Sequence, residues 1–230
     1  MRVGWGAALA DLVIGADCPG CGRVTLGLCP TCRRMLRPRP AVVPLEPDDL
    51  TVIASAAYSG TAERVVRRWK DLGHAQTARW AAHALAASVA FHGVQDPLLI
   101  PVPATRRSRR RRGGWLVSEL ATGATSVLAG IGVRAEVAPL VRLVRQPADQ
   151  RRLGVVERAR NTRGAFVTRS APRGREVLVV DDVVTTGSTV RAVAAALERA
   201  GTSVTGAAVV VATPPPRPGP LPLVDEPADG

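Results

Sequence analysis

Two groups of residues in this chain have types and spacings that could do chemistry. The first is the acid pair Asp181 and Asp182, which follows four apolar residues, Val177, Leu178, Val179 and Val180. Val183 and Val184 come next, then the small, hydroxyl-rich run Thr185, Thr186, Gly187, Ser188 and Thr189. A continuous apolar run of this kind reads as a buried strand of a parallel sheet. Val190, Val193 and Leu197 then recur at helical spacing, and Gly201 stands where such a helix would end. A loop of small residues between strand and helix can aim successive backbone N–H groups at one point. The helix N-terminus adds partial positive charge there, so this loop is a phosphate cradle. The two carboxylates sit at the carboxyl end of the strand, where open α/β sheets bind ligands. They are poor partners for phosphate and good acceptors for the vicinal hydroxyls of a ribose. They could also hold Mg²⁺, directly or through water. A ribose flanked by phosphate is the ligand that residues 181–189 describe.

The second group is Cys18, Cys21, Cys29 and Cys32, which are all the cysteines in the chain. Each Cys-x-x-Cys pair can form a knuckle that turns two thiolates toward one point, giving four sulfurs for a tetrahedral zinc. Pro19, Gly20 and Gly22 favour the tight turns this requires. A disulfide framework is the alternative. Against it, the stretch from Gly4 to Ile14 is interrupted by Asp11, is preceded by Arg2 as the only positive charge and does not read as a signal peptide, which leaves the cytoplasm as the expected location. A thioredoxin-like redox pair would need a preceding strand, and none is indicated. Four thiolates close the coordination sphere, so the expected role is scaffolding by a module that needs its metal to fold.

The elements that must position these groups read as follows. A short helix is expected over residues 4–14, and 1–36 form an N-terminal module with the knuckle. Residues 37–50 hold Pro38, Pro40, Pro44 and Pro47 and read as a linker. A strand is expected from Thr51 to Tyr58. A helix starting at Ser59 or Thr61 follows, with Val65, Val66 and Trp69 inward and Arg64, Arg67, Arg68 and Lys70 mostly outward. A second helix runs from Ala75 to Phe91, and a buried strand from Pro97 to Val102. His74, His83 and His92 have no partner at ligand spacing and read as surface or boundary residues. A helix from Trp115 to Leu128 and a strand from Arg134 to Leu143 come next, and Ser203 to Val211 is the last strand. Residues 51–212 therefore form one α/β domain, and the Pro-rich tail 213–230 cannot build a core.

Charge adds a further reading. The formal net charge is +12 and the pI about 11.3, which draws the protein toward polyanions. The abundance of Arg, Ala, Val and Gly also fits a GC-rich genome. Four Trp, one Tyr and two Phe are too few for an extended base-stacking surface. No segment reaches the length of a membrane span. Arg106, Arg107, Arg109, Arg110, Arg111 and Arg112 crowd the loop after the Pro97–Val102 strand. They read either as a solvated loop or as a holder of diphosphate or nucleic-acid phosphates. The segment from Arg145 to Ala165 is polar and basic. It reads as a lid over a phosphorylated substrate, with a surface segment as the alternative.

The thirteen residues from Val177 to Thr189 match, at every position, the phosphoribosyl diphosphate (PRPP) signature of the type I phosphoribosyltransferases. Receiver domains and acid-pair phosphatases also end a strand in acids, but they do not need the Thr-Thr-Gly-Ser-Thr turn. Over about residues 15–212 the chain more narrowly resembles the ComF family, the phosphoribosyltransferase-like proteins associated with bacterial competence and DNA uptake. The resemblance rests on the two cysteine pairs, on Tyr58, Ser59 and Gly60, on Trp69, Lys70 and Gly73, and on Ile100 to Pro103 before the basic loop. It rests also on Gln150, Leu153, Arg158, Asn161 and Gly164 to Phe166, and on the signature itself. It implies a type I phosphoribosyltransferase-like parallel sheet flanked by helices, with a small N-terminal four-cysteine zinc knuckle. It further implies structural zinc, Mg²⁺ with PRPP, diphosphate held near Thr105, Arg106 and Arg107, and transfer of phosphoribose to an unidentified acceptor. The alternatives are a non-catalytic partner of single-stranded DNA and a competence helicase, or a PRPP or nucleotide sensor. The family usually carries Arg-Gly-Phe-Asn-Gln after the basic loop. Here Gly113, Gly114, Trp115, Leu116 and Val117 stand instead, so a polar pair is replaced by apolar residues.

Overall fold

The structure is a computed structural model, and it describes residues 17–47, 49–72, 75–104, 116–144, 164–168, 170, 172 and 174–217. The helix expected over 4–14, Thr105 with the arginines 106–112, and residues 145–163 of the expected lid lie outside the described residues.

A mixed, mostly parallel sheet forms the centre. Its order is β1 (Ala41–Val42), β2 (Val52–Ala57), β8 (Val204–Ala212), β7 (Val177–Val184), β3 (Leu98–Pro101) and β4 (Glu136–Val137). Only the β1–β2 pair is antiparallel; the other pairs in this sheet are parallel. β5 (Val141–Leu143) and β6 (Phe166–Thr168) pair antiparallel in a separate ribbon.

Side chains alternate across a strand, and the core divides accordingly. Leu99, Leu178, Val180, Ala208 and Val210 face a cluster built with α1 (Pro30–Met35), α2 (Gly60–Leu72), α3 (Ala75–Ala90) and α4 (Leu116–Ala129). Leu98, Ile100, Val177, Val179, Ala207 and Val209 face a second cluster with α5 (Ser188–Glu198) and the β5–β6 ribbon. Helices thus cover both faces, which explains why β7 and β8 are apolar in unbroken runs. Alanines on α3 let it lie close to the sheet, and two buried hydroxyls there are satisfied. Ser55 Oγ donates to Ala84 O at 2.6 Å, and Ser88 Oγ to Val209 O at 2.8 Å. Among the described residues no helix is long and apolar enough to cross a membrane.

Three stretches differ from the sequence reading. The strand expected from Arg134 to Leu143 is two strands in two sheets. Pro139 has no N–H to give a ladder, and around it Leu140 N turns back to Ala138 O at 2.8 Å. Residues 37–50, read as a linker, also join the fold: Ala41 and Val42 pair with β2, and Val43 and Leu45 are buried against α5. Residues 213–217 return to the sheet edge, where Arg217 N donates to Val42 O at 2.8 Å. His92 is a boundary residue whose Nε2 lies 3.0 Å from Ala207 O.

Candidate ribose-phosphate site and metal centre

β2, β8, β7 and β3 run parallel, so their carboxyl ends share one edge. Tyr58 N donates to Ala212 O, Thr213 N to Val184 O and Val102 N to Val180 O, which ties the ends of neighbouring strands together. Asp181 and Asp182 lie near the end of β7. Asp182 is buried and turns toward α2, where Lys70 Nζ donates to its Oδ1 at 2.7 Å. Asp182 N in turn donates to Asp181 Oδ1 at 2.8 Å. Burial, and then the charge of Asp182, push the Asp181 carboxyl up to about 8; the Asp182 N–H and Lys70 pull the other way. The proton on Asp181 is thus held more tightly than on an ordinary carboxyl.

The turn after β7 has the shape that the sequence suggests. Gly187 takes φ 71°, a left-handed conformation that favours glycine. A Cβ at this position would also fall 2.8 Å from Leu45 Cδ1 and 2.9 Å from Arg191 Nη1. Gly187 gives α5 no side-chain cap; Thr186 Oγ1 reaches the Ser188 N–H at 3.5 Å, and the first-turn N–H groups beyond it can meet an anion. Thr185 and Thr186 are exposed, Ser188 and Thr189 half-buried, and Thr186 Oγ1 bonds Ser188 Oγ at 3.1 Å. Val183 and Val184 are packed rather than open: Val184 is buried and Val183 half-buried against the α2–α4 side.

Two residues of this region escaped the sequence reading. Lys70 was placed on the outward face of its helix, yet it points at Asp182. Arg191 braces the turn from behind. Its Nη1 donates to Thr186 O at 2.8 Å, its Nη2 to Pro47 O at 2.5 Å, and its Nε pairs with Asp49 Oδ1 at 2.6 Å. The stretch 37–50 thus supports the turn. Lys70 stands in the Trp69, Lys70 and Gly73 block of the family resemblance, but no local signal gives either residue its partner, because those partners are remote in the chain. Pro103 and Ala104, which lead to Thr105 and the arginines 106–112, follow Val102 at the same edge as Asp181.

On the other side of α2, Cys18, Cys21, Cys29 and Cys32 place their sulfurs within 4.8 Å of one another, and all four are free thiols. Cys21 Sγ and Cys29 Sγ are 3.8 Å apart, and zinc–sulfur bonds of about 2.3 Å in a tetrahedron put the sulfurs about 3.8 Å apart. The donor set and spacing therefore fit a closed tetrahedral metal site. Cys29 N and Cys32 N donate to Cys18 Sγ and Cys29 Sγ, each at 3.4 Å. Burial pushes the Cys18 thiol up, but N–H groups of Cys29, Gly20 and Cys21 outweigh it and bring it to about 6. The Cys32 N–H lowers Cys29, whereas burial and the neighbouring sulfurs raise Cys32. The knuckle packs directly on α2. Arg68 forms two 2.7 Å bonds to Asp17, Arg64 Nε donates to Gly20 O, and Trp80 Nε1 donates to Leu36 O at 2.7 Å. Gly20 must be small, because a Cβ would meet Cys32 Sγ and Thr61 Cγ2 at 2.8 Å.

A family model described as "Phosphoribosyl transferase domain" matches residues 143–220. That is about a third of the chain, from the end of β5 past β8, and it contains the acid pair and the Gly187 turn. Among solved structures, the crystal structure of an adenine phosphoribosyltransferase from Rhodothermus marinus DSM 4252 is similar at 21% identity and a TM-score of 0.37, over 79% of this chain and 86% of that one. No curated protein matches the chain.

Proposed function

We propose that residues 181–189 bind the phosphoribosyl part of PRPP, with Mg²⁺ accompanying the diphosphate. The observation that carries this reading is the turn itself: an uncapped helix N-terminus and a left-handed Gly187 lie directly after a carboxyl pair at the strand end. In this reading Asp181 and Asp182 accept hydrogen bonds from the ribose hydroxyls. The backbone of 185–189, with the Thr186 and Thr189 hydroxyls, holds the 5′-phosphate. Thr105, Arg106 and Arg107 serve the diphosphate. Mg²⁺ would offset the charge that builds on diphosphate as it leaves. Transfer to an acceptor breaks the bond from ribose C1 to diphosphate and forms one to the acceptor nucleophile. The protein's part is then charge stabilisation and exclusion of water, the latter by residues 145–165. The four cysteines hold a structural zinc, as in the ComF-like proteins that the chain resembles.

Calorimetric titration of PRPP, with and without Mg²⁺, into wild type and Asp181→Asn tests this. Mg²⁺-dependent binding that weakens at least about tenfold in the variant is expected, the scale of a hydrogen bond to a charged group. No binding by wild type would sink the reading. The run of six arginines favours a second one, in which the protein binds single-stranded DNA without turnover. It requires DNA affinity to fall steeply with salt and to collapse when Arg109 to Arg112 become alanine.

A further inference from the structure

We propose that Lys70 is a positioning residue of the ribose-phosphate site: it fixes the Asp182 carboxylate and cancels its charge, so that the acid pair accepts ribose hydroxyls without repelling the phosphates beside it. The inference rests on the reading of residues 181–189 given above. Its starting point is an electrostatic conflict inside that reading. The phosphate turn begins three residues after Asp182, so a bare carboxylate would stand close to the ligand's negative charge. Repulsion between like charges at such range is strong where water is partly excluded.

The structure resolves the conflict with its own cation. Lys70 Nζ lies 2.7 Å from Asp182 Oδ1, and the two side chains are only 30% and 12% exposed. Lys70 comes from α2, 112 residues away in the chain. The helix is also well anchored. Val65, Val66 and Trp69 are buried in the core, while Arg64 and Arg68 grip the knuckle. At 100° per residue, Lys70 projects about 200° around the helix from Arg68. One helix therefore reaches the cysteine knuckle on one side and the acid pair on the other. Its firm seating fixes where the ammonium, and with it Asp182, must lie.

The test is a double-mutant cycle read by calorimetry at fixed Mg²⁺, with PRPP and ribose 5-phosphate as the probes. Lys70→Met should weaken PRPP about 30-fold and ribose 5-phosphate only about fivefold, because the exposed carboxylate repels the more highly charged ligand more strongly. Lys70→Arg should stay within about threefold of wild type. In an Asp182→Asn background Lys70→Met should change neither affinity by more than about twofold, since no charge is left to cancel. Equal losses for both ligands that persist in the Asp182→Asn background would mean that Lys70 only props up the fold, and would overturn the proposal. So would wild-type affinity in Lys70→Met. Should Lys70→Met fail to fold, the double variant must still fold and bind like Asp182→Asn alone, or the proposal falls. If wild type binds PRPP and the cycle is flat, only the role of Lys70 is lost; if wild type binds none, the site reading falls with it.

Discussion

The cysteine knuckle and the acid-pair turn both pack against α2, yet they solve the problem of gathered negative charge in opposite ways. The knuckle draws its four sulfurs from residues 18–32, and the bonds that shape it are local: Cys18 N to Arg23 O, Gly22 N to Cys18 O, Cys29 N to Cys18 Sγ, with Arg64 and Arg68 of α2 fastening it to the core from outside. Its donor set carries no cation of its own, although Arg68 acts on Cys18 from α2, and four thiolates close together would need a metal to balance them. The acid pair is assembled from remote pieces. Lys70 supplies a cation from α2, burial raises the Asp181 pKa, and Arg191 joins the turn to Pro47 and Asp49, 144 and 142 residues earlier. The difference is that one region gathers four sulfurs that a metal could hold, whereas the other meets its counter-charge inside the fold.

The strongest way to break this comparison is at the knuckle. Cys29→Ser should abolish metal binding, with wild type holding about one zinc per chain by elemental analysis. Losing the metal and a buried ligand should cost about 3–5 kcal/mol, a fall in melting temperature of roughly 10 °C for a chain of this size. A variant with an unchanged melting temperature would show that the knuckle does not depend on its ion.

A smaller effect should mark the acid pair. A carboxyl whose folded pKa is raised adds stability below its unfolded pKa and loses it as pH rises through the folded value. For Asp181 that window runs from the ordinary carboxyl value of 3.8 to about 8. The melting temperature of wild type should therefore fall relative to Asp181→Asn between pH 5 and pH 9. PRPP binding that uses the ionised carboxylate should release protons below about pH 8, seen as calorimetric heats that vary with buffer ionisation enthalpy. A variant whose melting profile runs parallel to wild type would contradict the raised pKa.

The smallest effect is expected at the brace. Arg191→Met removes bonds to Thr186 O, Pro47 O and Asp49. Affinity for ribose 5-phosphate should drop about tenfold, from the ~1–2 kcal/mol that a few partly exposed hydrogen bonds contribute, with little change in melting temperature. An equal loss of zinc from this variant would show that the two regions are coupled through more than α2.

The fold was legible wherever a strand or helix declares itself by its own apolar spacing. β2, β3, β7 and β8 are short runs of buried residues. The Val65, Val66 and Trp69 face of α2, and Val190, Val193 and Leu197 of α5, follow the helical period. The reading failed between Arg134 and Leu143, because an apolar run says nothing about which sheet its halves will join once Pro139 interrupts the ladder. It failed also at 37–50, where prolines suggested a spacer while Val43 and Leu45 had a core to fill.

The sequence by itself determined the chemistry of two motifs. Four thiols at knuckle spacing and two acids before a Thr-Thr-Gly-Ser-Thr turn keep their donors within a few residues, so local backbone geometry sets their arrangement. The tertiary structure alone decided which charges those motifs meet. A lysine on an amphipathic helix looks solvated until the fold brings a buried carboxylate 2.7 Å from it, and Arg191 looks like any surface arginine until Thr186, Pro47 and Asp49 converge on it. Electrostatic interactions act through space, and spacing along the chain carries no record of that space until the chain has folded.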